Sequence, residues 1–315
     1  MTTIHDVARI SGFSLGTVSN VINHPENVAR KTRAKIEAVM VELDYSPNVM
    51  ARNLSLGKTR NIGVVLPNNR HPYFSYIVDG IMEAAFPTGY RVTLLPTNYD
   101  EDIERRYLRE LQQKAYAGMI FTSRQLPLDE LVRSTRFGQI VSCENVGTQA
   151  ISSAYSDRLP TYEQAFRWIR AQGYSQVALM VQRDGTDSET TRDLLQAYQV
   201  VFGTQLADNR LRLGIANRRD GYDAACFIAA TDPAVDFILA NGDDIAAGVY
   251  MAYRDNGQRV PGIMGTENQL SSQLLHFPTI NHHLETLGHI AFSLAIREGV
   301  RHQLVKSDFI VRNEV

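Results

Sequence analysis

Thr3-Ile4-His5-Asp6-Val7-Ala8-Arg9-Ile10-Ser11-Gly12-Phe13-Ser14-Leu15-Gly16-Thr17-Val18-Ser19-Asn20-Val21-Ile22-Asn23 holds two helix starts separated by one glycine stop. A hydroxyl or carboxylate just ahead of a periodic apolar run is favoured there because it accepts an N–H that the first turn leaves unpaired. Thr3 followed three residues later by Asp6 has this form. Ile4, Val7, Ala8 and Ile10 then fall on one helical face, and Gly12 ends the run. Ser14 caps a second helix through Thr17, Val18, Val21 and Ile22. Two short helices joined through a glycine turn are the sequence form of a helix-turn-helix.

Working outward, the spacing of Ile36, Val39, Met40 and Leu43 predicts a third helix from Arg30 to Leu43, with basic residues at its start. Serine, proline and glycine in Ser46-Pro47-Asn48-Val49-Met50-Ala51-Arg52-Asn53-Leu54-Ser55-Leu56-Gly57 outline a short helix. A helix this short is marginal in water, so it needs a partner to form. Residues 1–60 carry eight Lys or Arg against five Asp or Glu, an excess of +3, so the rest of the chain holds −5 of the overall −2. The positive charge is concentrated where nucleic acid would be gripped.

After Thr59 the pattern changes. Ile62–Leu66, Val92–Leu95, Met119–Phe121, Ile140–Val141, Val177–Val181 and Phe237–Leu239 are short continuous apolar runs, which suit parallel strands covered on both faces. Helical stretches at Tyr76–Phe86, Ile103–Tyr116 and Thr161–Gln172 lie between them. The fold class expected is therefore α/β: a helix-turn-helix headpiece (1–45), a short helix and linker (46–60) and a doubly wound body (61–315).

Several classes are excluded. Cys143 and Cys226 are far apart in apolar surroundings and support neither a disulfide framework nor a zinc site. The polar start Met1–Asp6 lacks the basic and apolar segments of an export signal, and no apolar run approaches membrane-spanning length, so a cytoplasmic protein is expected. Gly57-Lys58-Thr59 lacks the earlier glycine of a phosphate loop, Arg52 standing there. His282-His283 lacks metal-ligand spacing, and no serine-nucleophile elbow occurs. No enzyme, cofactor or metal is expected.

The ordered set Thr3-Ile4-His5-Asp6-Val7-Ala8, Ser14 with Thr17-Val18-Ser19-Asn20-Val21-Ile22-Asn23, Thr32-Arg33, Tyr45-Ser46-Pro47-Asn48 and Ala51-Arg52-Asn53-Leu54 resembles the LacI/GalR family of bacterial transcription regulators. The likeness continues to the C-terminus. It implies a body of two α/β lobes like a periplasmic binding protein, a second helix in the DNA major groove, and, for the short helix and linker (46–60), a hinge helix that forms on the operator. Leu15, Gly16 and Asn20 are then the base-reading positions, with Thr17 and Ser19 nearer the phosphates. Leu54 is the minor-groove wedge, an apolar side chain whose cost of unstacking is regained by bent DNA touching more protein. Thr3, Ser14, Asn23, Asn48, Ala51 and Arg52 complete the DNA-contacting set. Asn20 stands where arginine is common in the family, which moves its preference from guanine toward adenine.

In open α/β sheets ligands sit outside the carboxyl ends of strands. The first body strand empties into Pro67-Asn68-Asn69-Arg70-His71-Pro72-Tyr73-Phe74, where aromatics beside polar groups suit a sugar or a flat ring. The resemblance implies effector contacts from Tyr73, Phe74, Asn69 and His71, and further from Asp157, Arg192, Asp243 and Glu267. The sequence departs from the family at Gly242, at Asn145 and in a short loop at Val260-Pro261-Gly262. The function expected is a sequence-specific regulator, a repressor in its simplest form, acting as a homodimer on a pseudo-palindromic operator under a sugar-like effector. A solute-binding protein with the same body, and a regulator whose body answers to a partner protein, are the alternatives.

Overall fold

A computed structural model describes residues 2–46, 59–68 and 71–312. It divides the chain into two compact units, residues 1–60 and 61–315.

Among its described residues the first unit holds three α-helices, α1 (Ile4–Ser11), α2 (Leu15–Asn23) and α3 (Arg30–Glu42). The Thr3 hydroxyl accepts from the Asp6 amide while the Asp6 carboxylate accepts from the Thr3 amide, so the capping box closes in both directions. Gly12 sits at φ 74°, a left-handed conformation that glycine reaches at no steric cost, and its N–H donates to the Ala8 carbonyl. Ser14 caps α2 by accepting from the Thr17 amide at 3.1 Å. Val7, Val18, Val21 and Ile36 form the buried centre, with Phe13, Met40 and Tyr45 packed around it. Ile10 differs from the expectation. It is 45% exposed, and Ser11 takes the inner position with its hydroxyl donating to the Ala8 carbonyl. Four residues after Val7 brings the chain back to the buried face more closely than three, so the small polar residue is drawn inward.

The larger sheet of the second unit is built from β1 (Asn61–Leu66), β2 (Arg91–Pro96), β3 (Gly118–Phe121), β4 (Gln139–Ser142), β5 (Ser152–Asp157) and β11 (His302–Lys306). All six are parallel, in the order β11-β5-β4-β3-β1-β2. Helices α4 (Pro72–Ala85), α5 (Glu101–Gln112), α6 (Leu128–Ser134) and α12 (Leu284–Ala295) cover its two faces. The second lobe has four parallel strands in the order β7-β6-β8-β9, from β6 (Val177–Met180), β7 (Leu211–Arg212), β8 (Phe237–Ala240) and β9 (Gly262–Met264). Helices α7 (Leu159–Ala171), α8 (Glu189–Phe202), α9 (Arg218–Thr231) and α10 (Asp243–Asp255) enclose it, and a short α11 (Leu270–Leu274) follows. β10 (Thr279–Asn281) and β12 (Asp308–Ile310) pair antiparallel beside it.

Helices α4 and α12 touch along glycines. A Cβ at Gly80 would stand 2.0 Å from the Glu285 carbonyl oxygen, and one at Gly288 2.2 Å from that of Ile77, so only glycine lets the two backbones approach this closely. β5 reads Ser-Ser-Ala-Tyr-Ser-Asp and carries no apolar run, yet most of it is buried. Its hydroxyls are satisfied instead: Ser152 is bonded to Gln139 and the Gly299 carbonyl, Ser153 to the His302 ring, and Ser156 to the His282 carbonyl.

The chain passes between the lobes three times, after β5, between β10 and α12, and between β11 and β12. The three passages are fastened together. Ser156 Oγ donates to the His282 carbonyl at 3.1 Å, His282 Nδ1 lies 2.8 Å from Ser307 Oγ, and His283 Nε2 lies 2.7 Å from Asp308. His282 is buried, and burial holds its imidazole well below the ordinary histidine range, so it is neutral.

Candidate functional site

On α2 the 100° step per residue puts Leu15, Gly16, Ser19, Asn20 and Asn23 on one face and Val18, Val21 and Ile22 on the other. Val18 and Val21 are buried; Leu15, Gly16 and Asn20 are exposed, and Thr17, Ser19 and Asn23 are half-buried. Leu15 is 41% exposed, an aliphatic side chain left outward next to a glycine. Thr3 and Ser14 are also exposed, but each hydroxyl is already engaged in capping. Asn48, Ala51, Arg52 and Leu54 lie outside the described residues.

In the second unit a cleft lies where strand ends from both lobes converge, and nearly every parallel strand contributes the residue that follows it. From the first lobe come His71, Tyr73 and Phe74 after β1, Tyr99 after β2, Thr122 and Ser123 after β3, Glu144 after β4 and Arg158 after β5. From the second come Gln182 and Arg183 after β6, Asn241 after β8 and Glu267 after β9, with Glu189 at the start of α8. His282, one of the fastened passages, forms part of the wall.

His71 caps α4, and Pro72 occupies the first turn, where its missing N–H costs nothing. The helix therefore begins ahead of the expected Tyr76. His71 Nδ1 accepts from the Tyr73 amide at 3.2 Å and Nε2 faces the Asn241 carbonyl at 3.1 Å, which assigns the proton to Nε2. Burial lowers the His71 pKa, keeping the ring neutral. It is a contact between lobes, since Asn241 follows β8. Tyr73 and Phe74 meet edge to face with centroids 5.1 Å apart, and Phe74 also reaches into the first lobe's core.

Arg158 is 4% exposed and donates from Nη2 to the Tyr73 hydroxyl at 2.9 Å. Burial would lower its pKa, but Tyr73, Tyr162, Glu189 and Asp193 outweigh that through space and raise it, so it stays charged. Arg183 lies 4.2 Å over the Tyr99 ring and reaches Gln125 and Ser123 at 3.4 Å each, again from one lobe to the other. Glu267 is buried, with φ 85°, and among the described residues its nearest basic group is His71 Nδ1 at 4.0 Å, beyond hydrogen-bond reach. Burial pushes its carboxyl from 4.5 up to about 8, so it holds its proton at neutral pH.

Of the residues expected at the effector site, the cleft brings together His71, Tyr73, Phe74 and Glu267. Asn69 lies outside the described residues. Three others point elsewhere. Asp157 ends β5 exposed, one residue before Arg158. Arg192 is exposed on α8 and donates to the carbonyls of Gly185 and Thr186, closing its own loop. Asp243 is fully buried, accepting from the Gln269 amide and the Thr279 hydroxyl at 2.7 Å each, and burial raises its pKa to about 7. It ties α10 to the loop that carries Glu267. Sequence reading missed Arg158, Arg183, Tyr99, Glu144 and Glu189. The strand-end rule, applied to every strand instead of the first alone, would have found the first four.

A helix-turn-helix unit and a two-lobed body with a polar and aromatic cleft define the class of ligand-responsive DNA-binding regulators. Residues 59–297 match the family described as periplasmic binding proteins and sugar binding domain of LacI family, and residues 3–48 match bacterial regulatory proteins, lacI family. The chain belongs to the LacI family of DNA-binding transcription regulators. It is 38% identical to catabolite control protein B of Bacillus subtilis (strain 168) over 95% of both chains. In fold it is similar to the lac repressor dimer bound to operator and the anti-inducer ONPF, with TM-score 0.78 and 22% identity over 99% of this chain and 98% of that one. It is also similar to the transcriptional regulator CelR in complex with cellobiose, with TM-score 0.70 and 20% identity over 99% of both. Among the described residues no helix is long and apolar enough to cross a membrane.

Proposed function

We propose that the chain is a cytoplasmic homodimeric repressor that binds a pseudo-palindromic operator and is switched by a small, sugar-like effector held between the lobes. The observation that carries this is the cleft itself. It is walled by strand ends of both lobes and crossed by contacts such as His71 to Asn241 and Arg183 to Ser123, so a ligand there touches both lobes at once. Such a ligand favours the lobe arrangement in which it makes both sets of contacts, and only that difference in affinity can move the equilibrium. The structure of a relative with cellobiose bound supports a sugar-like ligand. The cleft is read as a binding site, not a catalytic one, in keeping with relatives that are regulators.

On the DNA side, Leu15, Gly16 and Asn20 read bases from the outer face of α2, with Thr17, Ser19 and Asn23 at its edges. The hinge residues expected from the sequence, Leu54 above all, join the reading in the minor groove. The test is a gel shift of the full chain on a pseudo-palindromic duplex at several salt concentrations, with and without cellobiose and related sugars. Salt-sensitive binding that weakens in Asn20→Ala and responds to a sugar is the expected result. A chain that binds sugar but shows no affinity for duplex DNA would reinstate the solute-binding alternative.

A further inference from the structure

Arg158 breaks a rule that other charged groups of this body obey. Arg210 pairs with Asp232 at 2.9 Å, Arg124 with Glu144 at 3.0 Å, and the buried Glu104 carboxylate accepts three contacts from the amides of Gln125 and Leu126. Arg158 is 4% exposed, yet among the described residues it forms no ion pair, and its one hydrogen bond goes to a neutral phenol. A buried guanidinium has five N–H donors and a charge that is costly to leave uncompensated. Arg183 opens on the same cleft and likewise forms no ion pair among the described residues, holding only two contacts of 3.4 Å.

The carboxyl groups of the cleft leave these two arginines in excess. Glu144 is occupied by Arg124, and Glu267 holds its proton up to about 8 because it is buried. Glu189, and Asp193 outside the cleft lining, act on Arg158 only through space, neither forming an ion pair with it among the described residues. A neutral sugar could accept hydrogen bonds from both guanidinium groups but would leave their charge uncompensated once lobe closure expels water. An anion compensates it and takes the stronger, charge-assisted bonds.

We propose that the effector of this protein is an anion, a compact hydroxylated molecule bearing a phosphate or carboxylate group that Arg158 and Arg183 receive. This rests on the reading of the cleft as the effector site and deepens it. Tyr73 and Phe74 face the body of the ligand, and Glu267, protonated, offers it a donor.

The experiment is calorimetric titration of the full chain with matched probes. Glucose is compared with glucose 6-phosphate and inorganic phosphate for the phosphate arm, and with gluconate for the carboxylate arm. The expected result is that an anionic probe binds at least tenfold tighter than glucose. Its affinity falls about 10–100-fold in Arg158→Met and in the less buried Arg183→Met, and recovers in part in Arg158→Lys. Should Arg158→Met fail to fold, Arg183→Met carries the same test. Glucose binding as tightly as its charged counterparts, or anion affinity surviving in either folded variant, overturns the anion proposal and leaves the effector reading standing. Silence from every probe, neutral and charged, in binding and in operator gel shifts alike, overturns both.

Discussion

Replacing Glu267 by glutamine isolates the energetic cost of a carboxyl group that the fold keeps protonated. Its pKa rises from 4.5 to about 8 because burial disfavours the charged form. In the unfolded chain the same group ionises near its ordinary value. Between those two pH values the folded state binds the extra proton, so stability falls as pH rises through this window, and it is greatest below the unfolded value. At 1.36 kcal/mol per pH unit, Glu267 alone removes about 3 kcal/mol between pH 5 and pH 8. Glutamine matches the protonated acid in shape and does not titrate. It can keep the long contacts to Thr266 and to the Gln269 side chain. Glu267→Gln and the parent should therefore melt within about 1 kcal/mol of each other at pH 5 and separate as pH rises. By pH 8 the variant should be more stable by about 3 kcal/mol, which for a body of this size is roughly 6–12 °C in Tm. Thermal denaturation of both full-length proteins across this range measures the difference, which cancels contributions from groups that do not interact with Glu267. Parallel pH profiles would show that Glu267 ionises in the folded state without cost, and the reasoning about its burial would be wrong.

Gly80→Ala should push α4 and α12 apart and cost about 1–3 kcal/mol, because the added methyl meets a backbone oxygen that cannot turn aside; an unchanged urea midpoint would contradict the close approach. Val18→Ala removes two methyl groups from a headpiece centre of four buried residues and should cost that unit about 2 kcal/mol. Helix loss at lower temperature, seen by circular dichroism together with weakened operator binding, is the readout, and wild-type behaviour in both would count against α2 packing as described. Thr3→Ala opens the capping box and should cost the headpiece about 1 kcal/mol, while Thr3→Ser should cost far less. Equal losses from the two would show that the hydroxyl does not hold the helix.

The headpiece was legible because its determinants are local: a cap, a glycine and a 3.6-residue stripe. Each sits within a turn or two of what it controls. The apolar strands β1, β3, β4, β6 and β8 were legible for a similar reason, being continuous buried runs; β2 also forms, but at the edge of the sheet, where Leu94 is 44% exposed and of its run only Leu95 is buried, so it is not covered on both faces as expected. β5 was not legible, because Ser152, Ser153 and Ser156 are buried through hydroxyl partners as remote as Gly299, His302 and His282, and no hydrophobic pattern records such pairing. Ile10 shows the limit of periodicity by itself, since the inward position fell to Ser11. At the cleft, the first strand end led to His71, Tyr73 and Phe74, but Arg158 and Arg183 follow strands whose ends converge only through the topology. Arg192 and Asp157 are residue types suited to a ligand, and local hydrogen bonding and strand direction decide where they point.

The triple passage of the chain between lobes has a consequence for synthesis. The first lobe's sheet takes its edge strand from His302–Lys306, and α4 near its start packs on α12, some two hundred residues later. As the polypeptide emerges from the ribosome the second lobe has nearly all its strands before the first can close. The early strands wait with an apolar helix face uncovered until α12 and β11 have been made. A ribosome that stalls before His302, or a protease that cuts ahead of it, would thus leave the first lobe unfinished, exposing incomplete products to quality control.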